Sequence, residues 1–181
     1  MKPFIFLILP VLLAGCFGIA TKGGYDVATD RRSVGKQVND AEIWGQIKKD
    51  LQQSGVEGTD QISVFCRNGM VILAGVVAKG SGAGSEAVRI ARQVHGVKKV
   101  ETYFLPSQQS RINDFEIKEK IHFKMVGDPD LKADQVDMTV IDGHVVLVGV
   151  VSSIAKVNKI IAIAHATSGV KAVKSFIQVE R

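Results

Sequence analysis

The sequence predicts an α+β protein made of two tandem αββαβ units, each a three-stranded mixed sheet packed on two helices. Three observations carry that expectation. The chain repeats itself: Asn68-Gly69-Met70-Val71-Ile72-Leu73-Ala74-Gly75-Val76-Val77 returns 74 residues later as Asp142-Gly143-His144-Val145-Val146-Leu147-Val148-Gly149-Val150-Val151. His95-Gly96-Val97-Lys98-Lys99-Val100 returns 73 residues later as Ser168-Gly169-Val170-Lys171-Ala172-Val173. Matched blocks in the same order mark a duplicated structural unit. Within each unit the apolar period changes from helical to alternating and back. Asn68-Gly69 and Asp142-Gly143 tolerate the positive φ angles of a tight hairpin.

The chain opens on Met1-Lys2, an apolar run from Phe4 to Leu12, and Leu13-Ala14-Gly15-Cys16. A basic start, a short apolar core and small residues before a cut site read as a secretory signal over residues 1–15. The run is well short of the ~20 residues a bilayer crossing needs. With cysteine at the cut site, the segment resembles a bacterial lipobox. That resemblance implies that Cys16 is acylated, palmitate included, and becomes the mature N-terminus. Each buried CH₂ contributes about 0.8 kcal/mol, so several chains hold firmly. Phe17, not Asp, follows the cysteine. By the sorting rule of Gram-negative lipoproteins this implies the outer membrane, with the folded part on its periplasmic face.

Loss of residues 1–15 leaves 166 of 181 residues and, with Lys2 gone, lowers the formal charge from +5 to +4. This mild basicity suits attraction to anionic lipid. Residues 16–39 are the expected lipidated N-terminus and tether. Gly18, Gly23, Gly24 and Gly35 interrupt any period, with Asp30-Arg31-Arg32-Ser33 between them, so a loosely ordered arm is predicted up to Asp40. An extended chain reaches about 3.3 Å per residue.

The first unit is predicted over residues 40–106. Ile43, Ile47 and Leu51 give a helical stripe, with Asp40 as the candidate N-cap. Ile62, Val64 and Cys66 share one face of a strand. The Asn68-Gly69 turn leads into a second strand over residues 70–77. A flexible glycine-rich loop, Gly80-Ser81-Gly82-Ala83-Gly84-Ser85, precedes a helix over residues 86–94 that Gly96 ends. The last strand covers residues 100–105. The second unit, residues 112–181, repeats this order: Asp114 as cap, Ile117, Ile121 and Met125 as stripe, a strand pair through residues 144–151, a helix over residues 156–166 and a strand over residues 173–179. The run Val145-Val146-Leu147-Val148 lacks alternation and predicts a strand buried on both faces. Units of this size stabilise only modestly alone, so the two copies are expected to dock there.

The pattern resembles the BON domain (bacterial OsmY and nodulation). Its marks are an initial amphipathic helix, a V-x-x-x-x-G-x-V-x-L-x-G-x-V strand pair and a late G-V-x-x-V. Val64, Gly69, Val71, Leu73, Gly75 and Val77 fit the strand pair, as do Gly96-Val97-Lys98-Lys99-Val100 and Gly169-Val170-Lys171-Ala172-Val173 the late motif. In the second copy the spacing Val140-x-x-Gly143 is shorter, which leaves the register before that hairpin open. Thr29-Asp30-Arg31-Arg32-Ser33-Val34-Gly35-Lys36-Gln37-Val38-Asn39-Asp40 is similar to a stretch of the dual-BON lipoproteins of Gram-negative outer membranes, the DolP type. This resemblance implies binding of anionic phospholipid through the first helix of the second domain and support of outer-membrane integrity. Some members gather at division sites.

A lipid site over Arg111, Ile112, Asn113, Asp114, Phe115 and Lys118 is expected from the residues as well. Phe115 lies about 200° around the helix from Ile117 and should point off the core. Lys118, three residues on, stands beside it. An exposed aromatic with cations suits a headgroup boundary. The alternative is that Phe115 packs across the domain seam or staples the helix start. Trp44, on the equivalent helix of the first copy, is expected in the core or the seam. Arg31, Arg32 and Lys36 are either cations for the membrane surface or part of a solvated linker.

Catalysis finds little in the sequence. His95, His122, His144 and His165 show no metal-ligand spacing. Ser81, Ser85 and Ser110 have no nucleophile-elbow context, and the glycine-rich loop lacks the Lys-Ser/Thr ending of a phosphate loop. Cys66 reads as an inert core thiol without a disulfide partner. No cofactor or metal is expected. No nucleic acid is expected either, since few aromatics and no basic stripe are present. The competing function is a scaffold that docks outer-membrane assembly proteins or cell-wall and division factors.

Overall fold

A computed structural model of the chain describes residues 32–106 and 113–180. Cys16, Arg31, Ser110, Arg111 and Ile112 lie outside the described residues. The first unit contains α1 (Val34–Gln53), β1 (Ile62–Arg67), β2 (Met70–Val76), α2 (Ala83–Gln93) and β3 (Lys99–Leu105). The second contains α3 (Asp114–Val126), β4 (Val136–Ile141), β5 (His144–Val151), α4 (Ile154–His165) and β6 (Ala172–Val179). Both units thus have the αββαβ order.

Helix α1 starts earlier than the sequence suggests. Ser33 is its N-cap and accepts from the Lys36 N–H, while Asp40 lies inside the helix and is buried. Gly35 does not break the first turn. An exposed helical glycine costs only about 1 kcal/mol, and the cap, together with the Arg32–Asp40 ion pair, offsets that. In the second unit Asn113 is the cap and Asp114 the first helical residue. Both aspartates have another task. Asp40 accepts from the N–H groups of Asn68 and Gly69 at 2.7 and 2.8 Å. Asp114 does the same for Asp142 and Gly143, both at 2.7 Å. Each first helix therefore clamps its own hairpin turn, where Asn68 and Asp142 hold φ of 54° and 51°.

Each sheet has its hairpin antiparallel and its third strand parallel, in the orders β1-β2-β3 and β4-β5-β6. The register before the two hairpins is the same: Val64 faces Leu73, and Met138 faces Leu147. Met138, not Val140, therefore takes the place of Val64. Gly75 and Gly149 are required by close approach. A Cβ at either would sit 2.3 Å from the carbonyl oxygen of Gln61 or Gln135, where a 3₁₀ turn leads into the paired strand.

The central strands are buried on both faces. Val71 and Leu73 join Ile43, Ile47, Leu51 and Ile90 under the first helix pair. Val145 and Leu147 join Ile117, Ile121, Met125 and Ile160 under the second. The alternate residues, Ile72 and Ala74 with Val146 and Val148, form a third core between the sheets, flanked by Phe65, Met70, Tyr103 and Phe176. The result is four layers, helices–sheet–sheet–helices, docked where the sequence predicts. Hydrogen bonds frame the seam: Tyr103 Oη lies 2.7 Å from His144 Nδ1, Asn68 Nδ2 donates to Gln178 Oε1 at 3.0 Å, and Arg67 pairs with Asp137.

Candidate functional site

Helix α3 buries Ile117, Ile121 and Met125 against its sheet and turns its opposite face to solvent. Phe115 is 72% exposed, as its angle predicts, and packs neither in the seam nor in the core. It is not alone. Phe123 is 79% and Val126 61% exposed on the same helix, and Ile154, the first residue of α4, is 65% exposed. At ~100° per residue, Val126 falls about 20° and Phe123 about 80° from Phe115. The three form one outward apolar face. A group of exposed large apolar side chains marks an interaction surface, whereas isolated ones do not.

Duplication isolates this face. The residues of α1 that correspond to Phe115, Phe123 and Val126 at the 74-residue offset are Ala41, Lys49 and Gln52. One fold thus carries two versions of its first helix: α1 is polar or small at these three positions and exposes Val34, Val38 and Trp44 elsewhere, and α3 is apolar at them. The sequence reading found Phe115 and missed Phe123, Val126 and Ile154. The signal was available, because the same helical wheel and the same offset pick out Phe123 and Val126.

The remaining expected site residues divide. Lys118 is exposed and has no ion pair among the described residues; its counterpart in α1 is Trp44. Asn113 accepts from the Glu116 N–H at 3.1 Å and Asp114 grips the hairpin, so both work inward. Glu116 is neutralised by Lys120, and Lys124 reaches back to the Ala166 carbonyl and Thr167. Glu119 shares the outward face.

Of the cations expected on a tether, Arg31 lies outside the described residues, and the other two are used internally. Arg32 is buried against Asp40, and Lys36 pairs with Glu180 at the end of the second unit at 2.5 Å. This corrects the expectation that Arg32 is a linker cation. Lys36 holds the Glu180 carboxyl below its ordinary range, chiefly through their hydrogen bond. Trp44 sits in neither core nor seam. It is half exposed and its indole N–H donates to the Val64 carbonyl at 3.1 Å, on the free edge of β1. That bond covers part of an edge that could otherwise pair with another chain.

Cys66 is buried and donates its S–H to Asp40 Oδ1 at 3.3 Å. Burial, then the Asp40 charge, push its thiol up to about 12, so it carries almost no thiolate at neutral pH. Among the described residues no three metal-ligating side chains gather. His95, His122 and His165 are exposed at separate places, and His144 is held by Tyr103.

Residues 39–104 and 113–181 each match a family profile described as BON domain. The chain is also 30% identical over 159 residues to the osmotically-inducible protein Y of Escherichia coli (strain K12), covering 84% of this chain and 78% of that protein. Two solved chains of CdsD, a structural protein of the type III secretion system of Chlamydia trachomatis, are 14% identical with a TM-score of 0.33. The match covers 78% of this chain and 67% and 63% of theirs; at that score the likeness carries no weight here.

Proposed function

Because this chain belongs to the BON-domain family and carries two such domains, we propose that it is a lipid-binding protein of the bacterial envelope that docks on anionic phospholipid through the outward face of α3. The exposed group Phe115, Phe123 and Val126 supports this reading most strongly, because the duplicate helix has Ala41, Lys49 and Gln52 at those places. Aromatic and aliphatic side chains enter the acyl boundary, while Lys118 and the Arg111 that precedes the helix meet the headgroups. The reading assigns no catalytic step: the domains bind.

A lipid-modified Cys16 gives the second attachment. Anchor and helix then act on one bilayer, and tethering raises the effective concentration of the helix at the surface. The outer membrane, periplasmic face, is the proposed location, and maintenance of that membrane, at division sites among others, the proposed role. The relative's name, osmotically-inducible protein Y, supports service under envelope stress.

The test is sedimentation of the unlipidated chain, from residue 17 onward, with vesicles. Binding to vesicles containing anionic lipid, reduced at least tenfold by Phe115→Asp or Phe123→Asp, is the expected result (a factor of ten is about 1.4 kcal/mol). Absence of binding to any vesicle would favour the scaffold reading, in which the same face docks an outer-membrane assembly, division or cell-wall protein.

A further inference from the structure

A cleft of about 550 Å³ opens on the first unit, away from α3, between α1, the β1–β2 turn and the α2–β3 connection. Ile43 and Val94 supply apolar wall; Glu42, His95 and Lys98 are among its polar groups, beside Lys36 and Asp40, which are paired elsewhere. In the second unit the equivalent positions are joined in two ion pairs. There Lys120 pairs with Glu116 at 2.5 Å, and Lys171 pairs with Asp142 at 2.8 Å. At the 74- and 73-residue offsets the first unit keeps Glu42 for Glu116 and Lys98 for Lys171. It replaces both partners: Gln46 stands for Lys120 and Asn68 for Asp142.

Both ion pairs are therefore split in the first unit. Gln46 turns to Asp50 at 2.7 Å. The Asn68 amide nitrogen turns to Gln178 and Glu180 across the seam. Glu42 and Lys98 remain on one cleft with no ion pair among the described residues. The cleft thus offers a carboxylate for a cation, and an ammonium with the His95 imidazole for an anion.

We propose that this cleft binds a small zwitterion, an ammonium group joined by a short chain to an oxyanion. The chemistry is that of phosphoethanolamine, as a free monoester or as a lipid headgroup. The ammonium takes the place of Lys120, against Glu42, and the phosphate meets Lys98 and His95. The site is independent of the α3 face, so either can fail without the other.

Titration calorimetry of the full chain in a non-ionic detergent, with O-phosphoethanolamine as the probe, tests this. Saturable one-site binding is expected, with ethanolamine alone and inorganic phosphate alone each weaker by about tenfold or more. Gln46→Lys restores the second unit's closure, since Glu and Lys at i, i+4 pair on a helix, and Lys98→Gln removes the anion contact. Each change, both at exposed positions, should weaken binding about tenfold with an unchanged thermal transition. Glycerophosphoethanolamine separates the sources: equal affinity assigns the headgroup, and tenfold weaker binding the free monoester. No binding, half-ligands that bind as well as the whole, or full affinity in both variants would overturn the proposal.

Discussion

Asp40 carries more of the first unit than any other polar residue described. Its carboxylate joins the Asn68 and Gly69 N–H groups, the Cys66 thiol and the Arg32 guanidinium in one buried cluster. Asp40→Ala removes an acceptor shared by four donors, one of them charged, and should cost about 3 kcal/mol or more in urea unfolding. Asp114→Ala loses only the two hairpin bonds at a half-buried site and should cost less, about 1–2 kcal/mol. Cys66 adds a pH dependence. Its folded thiol value, about 12, lies above the ordinary 9.0. The unfolded chain therefore ionises first, and stability is full below pH 9 and falls as pH rises from there towards 12. Cys66→Ala should flatten that alkaline loss, which unfolding curves across pH 8 to 11 would register. The sequence placed Cys66 correctly, because alternation fixes a strand's face. It misplaced Asp40, because a cap and a helix-borne clamp use the same residue type, and the turn it grips is 28 residues away.

At the scale of the element, the two first helices agree on the face turned to the sheet and diverge on the outer one. Their buried stripes, Ile43-Ile47-Leu51 and Ile117-Ile121-Met125, match position for position. Periodicity made those stripes legible from the sequence, whereas the start of α1 was not, since Gly35 outweighed Ser33 in a local reading. The strand glycines show the opposite limit. Gly75→Ala places a methyl against backbone at 2.3 Å that cannot turn aside, and should cost about 1–3 kcal/mol; Gly149→Ala should behave alike. No local signal reveals that requirement, because it arises from the 3₁₀ turn that leads into the paired strand. Trp44 was misread for a related reason: the wheel brings it near the core, but its N–H is held by the β1 edge.

For the molecule as a whole, the seam joins two sheets through Ile72, Ala74, Val146 and Val148 and closes at the Lys36–Glu180 pair. The doubly apolar run of β5 announced the docking; the polar frame was invisible, since each bond links residues about 40 to 144 positions apart. Glu180 titrates below the ordinary carboxylate range because of Lys36. Its contribution is present above the unfolded value of about 4.3 and is lost as pH falls through the lower folded value. Lys36→Ala should bring the Glu180 titration, followed by NMR, back towards that ordinary value. Four layers also leave the helices as the outer surfaces, so whatever the protein touches in bulk it touches through helix faces. The apolar face of α3 is the one to which we assign the proposed lipid contact.

Its most direct test is fluorescence quenching by brominated anionic phospholipid. Phe123→Trp places a reporter on that face, against the native Trp44 as an internal reference in the parent chain. Emission of the substituted chain should shift to the blue on vesicles and be quenched by the bromines, while the parent chain changes little. An unshifted, unquenched Phe123→Trp signal in a chain held to the same vesicles would contradict the account.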